Sequence, residues 1–144
     1  MEKFEEKNNF FVHANGELDC TLACFKMLSK VLNFPFRTES IEKSLKDFLS
    51  RDETISLKVC GEVASYHGLQ INISKVNYEN GSRLKTPAFI NWENSIAIVV
   101  QSNKEGIKIA FPEHGFITIK NYEFEEVFRD GIEILTFEKT NSTL

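Results

Sequence analysis

No stretch of this 144-residue chain is apolar for long enough to span a bilayer. The opening MEKFEEKNNF carries charges where a signal peptide needs a continuous apolar run, so the chain reads as soluble and not secreted. Basic residues never cluster. The 17 Lys and Arg and 21 Asp and Glu are scattered to a net charge of −4, without the footprint that binds phosphate backbones, which excludes nucleic acid as a partner. Cysteine is scarce and odd in number: Cys20, Cys24 and Cys60 have neither disulfide-framework nor zinc-ribbon spacing. That excludes a structural metal and favours reduced thiols in a cytosol-like compartment. Internal repeats, low-complexity tracts and Pro/Gly-rich linkers are missing too, so residues 1–144 are expected to form one domain, and no motif implies a cofactor.

What is present is the composition of a chain able to bury one core: 42% hydrophobic, 12% aromatic and 26% charged residues. From Cys20 to Asn33 the apolar residues Cys20, Ala23, Cys24, Met27, Leu28, Val31 and Leu32 keep the spacing of one helical face, with Asp19 at the N-cap position. A second helix is predicted around Ile41, Leu45, Phe48 and Leu49 after Ser40. A third carries Leu57, Cys60, Val63 and Ala64, opened by Thr54 and closed by Gly68. Beyond Gly68 the period changes to two, as in Leu69, Ile71 and Ile73 and again in Ile107, Ile109 and Phe111. The unbroken apolar run Ile96–Val100 fits a strand buried on both faces, and 116–119 and 132–137 supply more strands around a short helix with Phe124 and Phe128. Asn103 to Gly106 make a hairpin turn, so the sheet should be antiparallel. The fold class is therefore α+β: N-terminal helices packed on one side of a C-terminal antiparallel β-sheet.

One position suggests chemistry. A cysteine in the first turn of a helix meets unpaired backbone N–H groups and the positive end of the dipole, which favour the thiolate. Cys20 is placed so, although free cysteines are more often small buried hydrophobes, a reading that fits Cys24 better still.

The order of motifs resembles a family. Glu17-Leu18-Asp19-Cys20-Thr21-Leu22-Ala23-Cys24 is similar to the Asp-Cys-Gly-x-Ala-Cys segment that opens the first helix of the bacteriocin-processing, double-glycine-cleaving cysteine peptidases of ABC exporters. Thr54-Ile55-Ser56-Leu57 with Ala64, Gly68 and Leu69 resembles that family's third helix and next strand. Pro87-Ala88-Phe89-Ile90-Asn91-Trp92 resembles the strand before its catalytic histidine, and Phe111-Pro112-Glu113-His114-Gly115 its Asp-Pro-x-x-Gly turn. The likeness runs over about residues 10–138. It implies a papain-like fold with Cys20 as the nucleophile. It also implies the N-terminal domain of a larger protein, on the cytoplasmic face of the bacterial inner membrane beside transporter membrane and ATPase domains. The polar tail Thr140-Asn141-Ser142-Thr143 reads as the start of a linker.

A cysteine peptidase needs a base bonded to the thiol and a third group to orient that base. In this alignment the family's histidine falls on Ser95 or Ile96 and its aspartate on Phe111, none of which can do that work. Thr21 replaces the glycine after the nucleophile, and the oxyanion-hole glutamine has only His13 and Asn15 near its place. His13, seven residues before Cys20, is the remaining candidate base; His67 reads as a helix-end residue and His114 as a turn residue.

The resulting expectation is a degenerate, catalytically inactive peptidase-like domain that binds a secreted polypeptide or its leader, with Asp19, Phe89 and Trp92 on the groove. One alternative is an active cysteine peptidase cutting Gly-Gly leaders through Cys20. The other is a structural or regulatory module fused to a different membrane or redox protein; Cys20 and Cys24 lack the Cys-x-x-Cys spacing of thiol oxidoreductases.

Overall fold

The computed structural model describes residues 10–51 and 54–139, so the predicted linker at 140–143 lies outside the described residues. Helices α1 (Glu17–Leu32), α2 (Thr38–Ser50) and α3 (Leu57–Tyr66) come first, and the strands follow: β1 (Leu69–Val76), β2 (Ala88–Trp92), β3 (Ser95–Asn103), β4 (Gly106–Phe111), β5 (Gly115–Lys120) and β6 (Ile132–Lys139). A 3₁₀ turn at Tyr78–Arg83 joins β1 to β2, and a short helix α4 (Phe124–Val127) precedes β6. The six strands form one sheet in the order β1-β6-β2-β3-β4-β5, and every neighbouring pair is antiparallel. The expected α+β class is what the chain adopts.

Helix α1 starts one turn earlier than its apolar spacing suggests. Its N-cap is Gly16, at φ 90°, rather than Asp19, because the Gly16 carbonyl already accepts the Cys20 N–H that closes the first turn. Asn33, at φ 53°, ends it in the left-handed conformation, and the Phe34 N–H returns to the Ser29 carbonyl at 3.0 Å. Helix α3 is opened by Ser56, whose hydroxyl accepts the Val59 N–H at 3.2 Å, and not by Thr54. His67 caps its far end as expected, with Nδ1 2.8 Å from the Val63 carbonyl oxygen.

Two apolar clusters sandwich the sheet. Cys24, Phe25, Met27 and Leu28 of α1, with Ile41, Leu45, Cys60 and Val63, pack on Phe89, Ile96, Ile98 and Leu135. On the other face Ala97, Val99, Ile107, Ile109 and Ile134 are covered by Leu84, Phe124 and Phe128, so the sheet's second face is closed by the 3₁₀ turn and α4. Strand β3 alternates between these clusters, which is why 96–100 is apolar without a break. The β2–β3 turn places Glu93 and Asn94 at φ 48° and 63°, the pair of left-handed residues of a type I′ hairpin, and so sets Ser95 opposite Trp92. Among the described residues no helix is long and apolar enough to cross a membrane.

Candidate functional site

Three segments distant in sequence meet at Cys20. The stretch 10–15 runs along the β4–β5 end of the sheet, where Phe10 and Phe11 pack on Phe116 at ring-centroid distances of 5.8 and 5.1 Å. It is tied down by the Ala14 N–H, which donates to the Pro112 carbonyl at 3.1 Å. At the start of α1 the chain turns inward, and Glu17 accepts the Ile55 N–H at 3.1 Å, which fixes the helix to the segment before α3. Cys20 then faces the start of β3, and one turn on Cys24 donates its S–H to the Ile96 carbonyl at 3.3 Å.

The Cys20 side chain is fully buried. Its backbone N–H donates to the Gly16 carbonyl at 2.8 Å, so the thiol sits above the first closed turn of the helix and not among its unpaired amides. The sulfur lies 3.5 Å from Glu113 Oε2 and 3.7 Å from the Ala14 carbonyl oxygen. That same Glu113 oxygen accepts the Gly16 N–H at 3.0 Å. Burial and the Glu113 carboxylate, with a smaller push from Asp19, raise the thiol from its ordinary 9.0 to about 11; the Ser95 hydroxyl acts the other way. An imidazolium beside a thiol favours the thiolate, and a carboxylate does the reverse. Cys20 is therefore a neutral thiol near pH 7.

Ser95 lies beside this thiol, 8% exposed, and its hydroxyl makes no well-formed hydrogen bond of its own. Ile96 points away into the core between α1 and the sheet. Phe111 is buried in the cluster on the other face, an apolar side chain at the end of β4. His13 is exposed, with its ring edge-on to Phe11 at 4.6 Å, and no imidazole is among the groups that act on the Cys20 thiol. His114 is exposed in the β4–β5 turn, where its N–H closes onto the Phe111 carbonyl at 3.0 Å.

The two aromatic residues expected on the groove fall on opposite faces of the sheet. Phe89 has no exposed surface: it packs between Phe25 and Phe137 at centroid distances of 5.1 and 4.9 Å, because its position on β2 turns it under α1. Trp92, three residues on, points to the opposite face and packs 6.5 Å from Phe128. Asp19 remains exposed beside the site. Sequence reasoning missed Glu113 and Gly16. An acid in a polar turn, 93 residues from the cysteine it contacts, carries no local signal. Among the described residues no group of three or more His, Cys, Asp or Glu could hold a metal ion.

Three helices on an antiparallel sheet, with a cysteine near the start of the first helix facing the sheet's central strand, define a papain-like fold. The chain belongs to the Peptidase C39 family, whose profile matches residues 8–142. No match to a curated protein is found. Among solved structures it is similar to a double glycine motif protease from an AMS/PCAT transporter in complex with the leader peptide. That match has TM-score 0.69 and 20% identity, covering 90% of this chain and 91% of that one. It is also similar to the peptidase domain of Streptococcus ComA, a bifunctional ABC transporter of a quorum-sensing pathway, at TM-score 0.64 and 14% identity over 90% and 97% of the two chains. The N-terminal peptidase C39-like domain of a toxin secretion ATP-binding protein from Vibrio parahaemolyticus matches at TM-score 0.56 and 13% identity, over 88% and 100%. At these identities the likeness is one of fold.

Proposed function

We propose that this chain is a catalytically inactive peptidase-like domain that binds a secreted polypeptide or its leader for a bacterial ABC exporter. In this reading it works at the cytoplasmic face of the inner membrane, and the exporter's membrane and ATPase domains belong to the same larger protein. The observation that carries the reading is the contact of Cys20 with Glu113: the group against the thiol holds it neutral where catalysis needs a base that takes its proton. Ser95, Ile96 and Phe111, at the places of the family's histidine and aspartate, supply no base and no group to orient one. The fold shared with a protease that holds a leader peptide and with a C39-like domain of a toxin exporter supports a role in recognition.

Incubation of the chain and of Cys20→Ala with Gly-Gly leader peptides, followed by mass spectrometry and a binding titration, tests this. Binding without cleavage is the expected result. Cleavage that disappears in Cys20→Ala would replace the reading by an active peptidase with Cys20 as nucleophile. Absence of both would leave a structural or regulatory module.

A further inference from the structure

The two edges of the sheet are finished differently. Among the described residues β5 has the stretch 10–15 beside it, with Phe10 and Phe11 on Phe116, whereas β1 has β6 on one side and no strand on the other. Sheet edges are commonly blunted by inward charges, proline, a bulge or a short strand, because an open row of N–H and C=O groups pairs with any strand that reaches it. Strand β1 runs for eight residues, Leu69–Val76, without proline, and its register against β6 is unbroken. Its one charge, Lys75, is next to last, with its stem beside Gly131.

The helix side of this edge is apolar. Leu69 and Ile71 pack into the core under α3, and Gly61 lets the helix come close, since a Cβ there would meet the Ile71 side chain at 3.3 Å. A shallow groove remains between helix and strand, lined by Lys58, Gly61, Glu62, Tyr66, Ile71 and Ile73, in which Ile73 is 38% and Tyr66 85% exposed. Gln70 and Asn72 alternate with these residues and are exposed.

We propose that β1 is the surface through which two copies of this chain associate, edge to edge and antiparallel, with a two-fold axis at Asn72. The strand's own sequence selects this occupant. A two-fold axis normal to the sheet keeps each face on its own side, so only residues of like parity can stand opposite one another. Centred on Asn72, the axis sets Ile71 opposite the partner's Ile73 on the helix side; on the other side Gln70 stands opposite Ser74 and Asn72 opposite its own copy. Each groove thus gains an apolar cover, and the paired Asn amides can exchange donor and acceptor. An axis at Ile73 would instead set Lys75 against Ile71. Charge agrees with the choice: the same axis runs the two copies of α3 antiparallel, which brings Lys58 on one rim toward the partner's Glu62. The contact is independent of leader binding, because β1 lies three strands from β3, which Cys20 faces.

Sedimentation equilibrium from micromolar to millimolar concentration tests the pairing with the chain, Asn72→Asp, Asn72→Lys and Gln70→Asp, with far-UV circular dichroism to confirm that each variant is folded. Both positions are exposed, so the core is untouched. The parent chain is expected to dimerise. Asn72→Asp and Asn72→Lys each set like charges opposite one another and should weaken the dimer about fivefold, while an equimolar mixture of the two restores it. Gln70→Asp, which faces a serine, should leave it nearly unchanged. A parent chain that stays monomeric throughout would overturn the proposal. So would Asn72 variants that dimerise like the parent, a mixture no tighter than its components, or a Gln70→Asp variant weakened as much as Asn72→Asp.

Discussion

Replacement of Glu113 by glutamine is the perturbation that most directly probes the site. Glutamine keeps the size and can still accept the Gly16 N–H, but it removes the negative charge 3.5 Å from the Cys20 sulfur. A unit charge at that distance, in the water-like dielectric of an exposed residue, is worth about 1 kcal/mol, close to one pH unit. The thiol pKa, raised to about 11 mainly by burial and then by Glu113, should therefore fall by about one unit and stay above its ordinary 9.0 because the burial persists. The thiolate fraction at pH 7.5 would rise about tenfold and remain below about 1%. Following the Cys20 ¹³Cβ shift through an alkaline titration reads this directly and needs no reagent to reach a buried sulfur. A midpoint in Glu113→Gln that stays at about 11, or rises, would refute the electrostatic account of the raised thiol pKa.

The same titration on Ser95→Ala should move the midpoint the opposite way, above that of the parent chain, because the hydroxyl that favours the thiolate is gone. Stability carries the sign with it: a thiol held neutral by the fold stabilises the native state fully below the unfolded-state pKa. That contribution is lost as pH rises from the unfolded-state value through about 11, so Glu113→Gln, whose midpoint falls, should lose less stability at alkaline pH than the parent chain, and Ser95→Ala, whose midpoint rises, should lose more. Phe89→Ala should lower the unfolding free energy by about 3–5 kcal/mol in urea denaturation, as expected for a core aromatic between Phe25 and Phe137 and not for a groove residue. Gly106→Ala should cost about 2 kcal/mol or more by the same assay. Its φ of 144° disfavours a side chain, and a Cβ would meet the Ile119 carbonyl oxygen at 2.1 Å.

The strands and helices were legible because burial imposes period: the face of α1, the unbroken run of β3 and the Asn103–Gly106 turn all appear where the sequence places them. Helix starts were legible only to within a turn. Gly16 and Ser56 took the caps that Asp19 and Thr54 were expected to fill, since cap choice depends on where the preceding chain is anchored, here by Ala14 on Pro112 and by Glu17 on Ile55. The placement of Phe89 and Trp92 was hidden for a related reason. Phe89 and Trp92 share a short strand, but three residues of alternation send them to opposite faces, and only the packing of α1 decides which face is covered.

By itself the sequence determined the α+β class, the family likeness and the burial of the central strand. Each of these is written in residue type and spacing along a single segment. The tertiary structure alone decided what stands against Cys20. Glu113 reaches it across 93 positions because the β4–β5 turn folds back over the start of α1, and a carboxylate there has a meaning, a thiol held neutral, that no local pattern could carry.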